Sequence, residues 1–280
     1  MKTICIYHSR DLDGWMSAAI VRTAYPYTEL LKWNYGDKIP DLAEYDKIIM
    51  VDISFPLDIM KSIADRLVWI DHHISAIGDS FTGSYNLTAG LRNHNFAACE
   101  LTWKYFFKDK EMPEIVRLLG RYDCFGHKGT DEEQKVLEFQ YAARTYWKSV
   151  YDCYDALQQK DWKIVSLFSE LGKGIYKYLC TEAEQIYATR FTIELDSYFF
   201  ACVNRDRFNP DNFGIKYHND KATDIYYYDG FASFWYQNGK FNYSLYNSNG
   251  EVDCSIIAKK RGGGGHKGAA GFITDEIIKK

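Results

Sequence analysis

The chain has 280 residues, is 46% hydrophobic and 26% charged, and carries a formal net charge of -4 with a pI near 6.0. That balance argues against a protein that coats long duplex nucleic acid, which needs a broad basic face to displace counterions; a short anionic ligand held by a few local groups fits it. No run of about 18 apolar residues occurs, and the start at Met1-Lys2-Thr3 lacks a signal-peptide core, so a cytoplasmic protein without a membrane span is expected.

In chain order, Ile4-Cys5-Ile6-Tyr7-His8 reads as a buried strand, followed by the polar turn Ser9-Arg10-Asp11-Leu12-Asp13-Gly14. Helical spacing then runs from Trp15 to Tyr25 and stops before Pro26. Asp11 and Asp13 lie two apart, so on an extended segment they point to one side, with His8 reaching in from the strand end. Taken alone, the turn is as compatible with an acidic helix cap as with a ligand set. Strands are expected over Thr28 to Trp33 and Lys47 to Ile53, the latter carrying Asp52, and a helix from Pro56 to Leu67. Leu67-Val68-Trp69-Ile70 is the next strand, and it ends at Asp71-His72-His73. Three strands thus deliver acids and imidazoles to one carboxyl edge, where open α/β folds place their chemistry. The βαββαβ order implies a doubly wound, mainly parallel sheet.

From Asn95 to about Arg190 the pattern is helical: Ala97 to Trp103, Pro113 to Tyr122, Val136 to Trp147 and Trp162 to Ile186. Asp123 falls at the end of one of these helices, an unfavourable place for an acid, so a nearby cation is expected. Short strands follow over Phe191 to Glu194, Tyr198 to Asn204, Ile225 to Tyr228, Ala232 to Gln237 and Phe241 to Tyr246, with a hairpin turn at Asn238-Gly239. Asp253 caps a helix through Lys260, and Gly262-Gly263-Gly264-Gly265-His266 comes next. Four glycines pinned between a helix and an apolar stretch read as a fixed loop whose amides approach an anion, with His266 as an added donor. The expected organisation is a catalytic core over residues 1–125, a helical connector over 126–190 and a small α+β domain over 191–280. Seven cysteines without paired CxxC spacing read as reduced core residues, and most of the 23 tyrosines as core packing.

Collected, the candidate ligands are His8, Asp11, Asp13, Asp52, Asp71, His72, His73 and Asp123. Carboxylates and imidazoles without thiolate suit two Mn²⁺, Mg²⁺ or Co²⁺ ions sharing a bridging carboxylate, a pair that activates water and clamps a phosphate.

The set His8-x-x-Asp11-x-Asp13-Gly14, Asp52, Asp71-His72-His73 and Asp123 resembles the motifs of the DHH phosphoesterase superfamily, and Gly262 to Phe272 resembles the GGGGH signature of its associated domain. The size and the Ser9 to Gly14 wording look closest to the NrnB-like oligoribonuclease and cyclic-nucleotide phosphodiesterase branch. The resemblance implies that His8, Asp11 and Asp52 hold one Mn²⁺, that Asp13, Asp52, His72 and Asp123 hold the other, that His73 faces the scissile phosphate, and that Asp71 orients His72. It further implies substrate contacts from Arg10, Gly263, Gly264, Gly265 and His266, and cleavage of short oligonucleotides to 5′-mononucleotides. A cyclic (di)nucleotide phosphodiesterase, a 3′-phosphoadenosine 5′-phosphate phosphatase and a non-catalytic nucleotide- or RNA-binding module are the alternatives, and the sequence leaves monomer or homodimer open. Two residues separate His8 from Asp11 where small relatives often have three, and Ser244 to Ser248 lacks an arginine that relatives often carry.

Overall fold

The computed structural model describes residues 2–77, 88–206, 228–247 and 250–278. The chain divides into two compact units, Met1–Ile175 and Tyr176–Lys280.

The first unit is an α/β layer structure. Strands β1 (Thr3–His8), β2 (Glu29–Trp33), β3 (Lys47–Val51) and β4 (Leu67–Ile70) form a parallel sheet in the order β2-β1-β3-β4. Its central strands are apolar throughout because both faces are covered. Alternation sorts their side chains: Cys5, Tyr7, Ile49, Val51, Val68 and Ile70 enter one core, and Ile4, Ile6, Ile48, Met50 and Trp69 enter the other. The first core is closed by α1 (Leu12–Ala24), α4 (Ala98–Phe106), α5 (Glu114–Asp123), α6 (Glu133–Tyr146) and α7 (Val150–Leu157). The second is closed by Met60 from α2 (Leu57–Ser62) and by Ile63. This is the doubly wound arrangement the strand order implied.

Three differences from expectation have physical causes. The helix expected over Pro56 to Leu67 stops at Ser62, and a single 3-10 turn, Ala64–Arg66, replaces its last turn. There Arg66 donates to the carbonyls of Leu42 and Tyr45 as the chain enters β4. Helix α7 was not anticipated, although Ser149 and Asp152 carry a capping signal: Asp152 accepts the Ser149 amide at 2.8 Å. The residues expected as a connector do not stand apart. Val136, Phe139, Trp147, Val150, Cys153 and Phe168 share one core with Leu12, Met16 and Ile20, and the unit boundary falls inside α8 (Asp161–Tyr187). A short helix α3 (Ile74–Ile77) follows the His pair.

In the second unit β5 (Phe191–Leu195), β6 (Tyr198–Asn204), β7 (Gly230–Gln237), β8 (Lys240–Asn247), β9 (Gly264–Gly265) and β10 (Ala269–Thr274) form one mixed sheet, ordered β5-β6-β7-β8-β10-β9. Among the described residues β6 and β7 pair in parallel and the other neighbours antiparallel. The strand expected over Ile225 to Tyr228 lies, apart from its last residue, outside the described residues. The β7–β8 hairpin turns on Asn238 (φ 53) and Gly239 (φ 80), the left-handed pair that a two-residue turn requires. Ile257 of α9 (Cys254–Lys259) packs on one face with Phe200, Phe234, Tyr243, Leu245 and Phe272, and Tyr187 at the end of α8 packs on the other with Val203 and Phe231. No helix among the described residues is long and apolar enough to cross a membrane, and none of the seven cysteines forms a disulfide.

Candidate metal centre

Strand register aligns the candidate residues before any side chain is considered. Tyr7 pairs with Val51 and Val51 with Ile70, so His8, Asp52 and Asp71 occupy the next row at the carboxyl edge. Asp52 departs from extended geometry at φ 60, a left-handed conformation that Asp tolerates better than most residues. The turn after β1 is close-packed: a Cβ on Gly14 would fall on the carbonyl of His8. Asp11 caps α1 by accepting the Gly14 amide at 3.0 Å and stands 3.5 Å from His8 Nε2. The cap reading and the ligand reading therefore share one side chain.

Asp13 sits inside α1 yet serves another helix. Its two oxygens accept the amides of Ala98 (2.9 Å) and Cys99 (2.7 Å) at the start of α4. Glu100 reaches back to the Ala97 amide at 3.1 Å, in a space that exists because residue 120 is glycine; a Cβ there would meet the Glu100 carboxyl group at 2.5 Å.

His72 is the meeting point. Its Nε2 lies 3.6 Å from Asp13, 3.4 Å from Asp52 and 3.3 Å from Asp123, which comes in from the end of α5. Its Nδ1 faces Cys124 Sγ at 3.7 Å. Asp52 Oδ1 is buried and accepts no hydrogen bond. Burial, then the charges of Asp13, Asp11, Asp123 and Asp71, push the Asp52 carboxyl far above the usual carboxylate range. Burial with Asp13 and Asp11 does the same to Asp123. Burial holds His72 and His8 below the usual imidazole range, so both offer neutral nitrogens.

Asp71 is fully buried, and its contacts correct the expectation that it orients His72. Its Oδ1 accepts the backbone amides of His72 (2.7 Å) and His73 (3.1 Å) and lies 2.8 Å from His73 Nδ1, while Trp69 Nε1 donates to Oδ2 at 3.3 Å. The ring it aligns is that of His73. Burial works against the charge of both partners, but their contact outweighs it, holding Asp71 below the usual carboxylate range and His73 above the usual imidazole range.

Among the described residues two groups of donors could hold a metal ion: Asp52 with His72 and His73, and His72 with Asp123 and Cys124. Cys124 was not anticipated as a neighbour; its thiol is pushed up by burial and by Asp123, so it stays protonated and the effective donors are oxygen and imidazole nitrogen. An orphaned buried carboxylate oxygen among further acids is the chemistry that a hard or borderline divalent cation satisfies. The residues fit such ions. The charge of Arg144 of α6, which lies over the ring of Tyr122 next to Asp123 in sequence, opposes the upward shift of that acid. Nothing in its sequence context marked it.

Arg10 is exposed at the turn. In the second unit the glycine loop differs from the expected cradle of free amides. Gly262 and Gly263 donate to the carbonyls of Lys259 and Ala258, His266 donates to Ala269, and Gly264–Gly265 pairs with β10. A Cβ on Gly265 would meet Ala270 Cα at 2.6 Å, whereas Gly264 faces open space and, with Gly265 and His266, is exposed. Glycine is needed at 265 for close approach of two strands.

No family model matches the chain. It is 23% identical over 312 residues to an uncharacterised protein of Acanthamoeba polyphaga mimivirus, an alignment spanning 98% of this chain and 68% of the other. Among solved structures it is similar to a pGpG-specific phosphodiesterase from Vibrio cholerae, with TM-score 0.55 and 14% identity over 98% of this chain and 93% of that one. It is also similar to an exopolyphosphatase-related protein from Bacteroides fragilis, with TM-score 0.52 and 12% identity over 100% and 88%. The chain therefore shares its fold, an α/β unit followed by a smaller mixed-sheet unit, with these two proteins.

Proposed function

We propose that the protein is a metal-dependent phosphodiesterase that hydrolyses short oligonucleotides to 5′-mononucleotides and belongs with the DHH phosphoesterases. The observation that carries the reading is the convergence of Asp13, Asp52 and Asp123 on His72 Nε2, with an unpartnered oxygen on buried Asp52. So much uncompensated negative charge is costly to bury unless cations complete it. His8, Asp11 and Asp52 would hold one ion, and Asp13, Asp52, His72 and Asp123 the other, with Mn²⁺ the best match to the donor set. Such a pair supplies an acidified water and charge that stabilises attacking and leaving oxygens.

His73, aligned by Asp71 and held toward its charged form, is suited to donate to a phosphoryl oxygen where negative charge develops. Arg10 and the exposed Gly264, Gly265 and His266 are assigned to substrate binding. The fold shared with a protein described as a pGpG-specific phosphodiesterase favours a short linear nucleotide; the likeness to an exopolyphosphatase-related protein keeps phosphoanhydrides as a comparison.

The test is a side-by-side assay with Mn²⁺ of a linear dinucleotide, a cyclic dinucleotide, 3′-phosphoadenosine 5′-phosphate and polyphosphate. The dinucleotide is expected to turn over fastest, and chelation to abolish turnover reversibly. Full activity in the chelated protein, or a clear preference for any other substrate, would overturn the reading.

A further inference from the structure

The arginines of α5 and α6 are unequal. Arg117 is bonded to Glu114 and Glu132, and Arg121 to Glu132, so both are neutralised where they stand. Arg144 makes no hydrogen bond and no ion pair among the described residues. Its guanidinium lies over the Tyr122 ring at 5.2 Å, and that ring is itself stacked on His127 with centroids 5.4 Å apart and planes 10° from parallel. The residue is exposed at the surface; burial of its guanidinium against the rings opposes its charge, and Tyr122, Tyr141, Asp11 and Asp123 favour it.

Those two acids mark the open side of the cluster. The side chains of Asp11 and Asp123 are 38% and 27% exposed, against 2% for Asp13 and Asp52 and none for Asp71. They also belong to different ions in the ligand assignment above. Arg144 is held on the ring of Tyr122, the residue that precedes Asp123, and the charges of both acids act on it, which puts a cation on that open side. A salt bridge would have used its donors; a ring face holds the guanidinium in place and leaves its N–H groups available.

We propose that Arg144 is a substrate-binding residue whose guanidinium takes the non-bridging oxygens of a substrate phosphate on the Asp11 and Asp123 side of the metal centre. This rests on the phosphodiesterase reading for its ligand. The planar fork suits two oxygens of one phosphate, which lysine, a point charge, matches less well. No covalent step is involved.

The experiment compares wild type with Arg144→Gln and Arg144→Lys. Bound manganese is measured by elemental analysis, and binding of a phosphorothioate-linked dinucleotide to the Mn²⁺-loaded protein by titration calorimetry. The expected result is unchanged metal content, with affinity for the dinucleotide about 10- to 100-fold weaker in Arg144→Gln, the factor of a charge-assisted contact. Arg144→Lys is expected to fall between, and added guanidinium ion to restore part of the loss in Arg144→Gln only. Unchanged affinity would overturn the inference. So would parallel loss of manganese and dinucleotide, which would make Arg144 a charge balance for the metal ligands. The readout is binding, so the inference is decided separately from catalysis: a wild type that binds the dinucleotide through Arg144 but cleaves nothing sinks the phosphodiesterase reading alone. A wild type that binds no phosphoester sinks both.

Discussion

Replacing Asp52 by Asn isolates the charge at the centre of the cluster. Asn preserves the side-chain shape and, like Asp, tolerates the left-handed backbone at φ 60, so the change is confined to charge and one hydrogen-bonding group. Without divalent ions, Oδ1 of Asp52 has no donor, and four other aspartates oppose its ionisation after burial itself. Asn keeps an oxygen at that place and removes only the charge, so where wild type is ionised the metal-free variant should be more stable by about 2 kcal/mol, the scale of leaving a buried polar group uncompensated. In a unit of this size that corresponds to roughly 4–8 °C in Tm. The pH dependence follows from direction. The folded-state pKa of Asp52 is raised, so its full contribution to stability is present below the ordinary carboxylate pKa and is lost as pH rises through the folded value. The gap in favour of Asn should therefore widen from pH 4.5 to pH 8. With Mn²⁺ at 100 times its dissociation constant, wild type gains about 2.7 kcal/mol that the variant forfeits at least in part, so the order should narrow or invert. Thermal unfolding by circular dichroism, with chelator and with Mn²⁺, measures all three. A variant that is less stable than wild type in chelator, or a gap that ignores both pH and metal, would refute an unpaired buried charge at Asp52.

Three further outcomes follow from contacts in the two units. His73→Ala should leave bound manganese nearly intact while lowering kcat by about 100-fold or more, the scale of removing one preorganised donor; equal metal loss in His73→Ala and Asp52→Ala, read by elemental analysis, would remove the distinction in roles. A Cβ at residue 264 meets no atom within 4 Å, so Gly264→Val should fold normally; it should raise KM for a dinucleotide while sparing a small aryl phosphodiester, and equal damage to both substrates would count against substrate binding by the loop. Gly14→Ala, whose Cβ would press on the His8 carbonyl, should destabilise the first unit by about 1–3 kcal/mol and weaken manganese binding, seen as a lower Tm that added Mn²⁺ restores only partly; a neutral change would mean that the turn relaxes freely.

Much of this site was legible because parallel strands end in register. His8, Asp52 and Asp71 each follow or end an apolar run, and parallel register alone puts such strand ends in one row. The helices were legible in number but not in allegiance. Nothing local in Val136 to Trp147 says that it packs beside α5 and not in a separate connector. That depends on which apolar faces find each other, and the same ignorance hid Arg144. The role of Asp71 was misread for a finer reason: whether a carboxylate bonds the ring one or two residues ahead is set by the backbone turn after β4. The glycine loop was read as backbone amides open to an anion, whereas the glycine at 265 serves the close approach of two strands. Which amides stay unspent depended on the pairing of β9 with β10, two residues long and without a sequence signal.

The two amide bonds that Asp13 accepts from α4 have a spectroscopic consequence. Each carboxylate oxygen has already given one lone pair to the helix, so a cation engaging either oxygen draws electron density away from an amide hydrogen bond at the start of another element. The buried Ala98 and Cys99 amides would thereby report, from the backbone itself, how fully the centre is loaded. Their proton and nitrogen resonances should move in proportion to metal occupancy, giving a titration of the site that needs neither a substrate nor turnover.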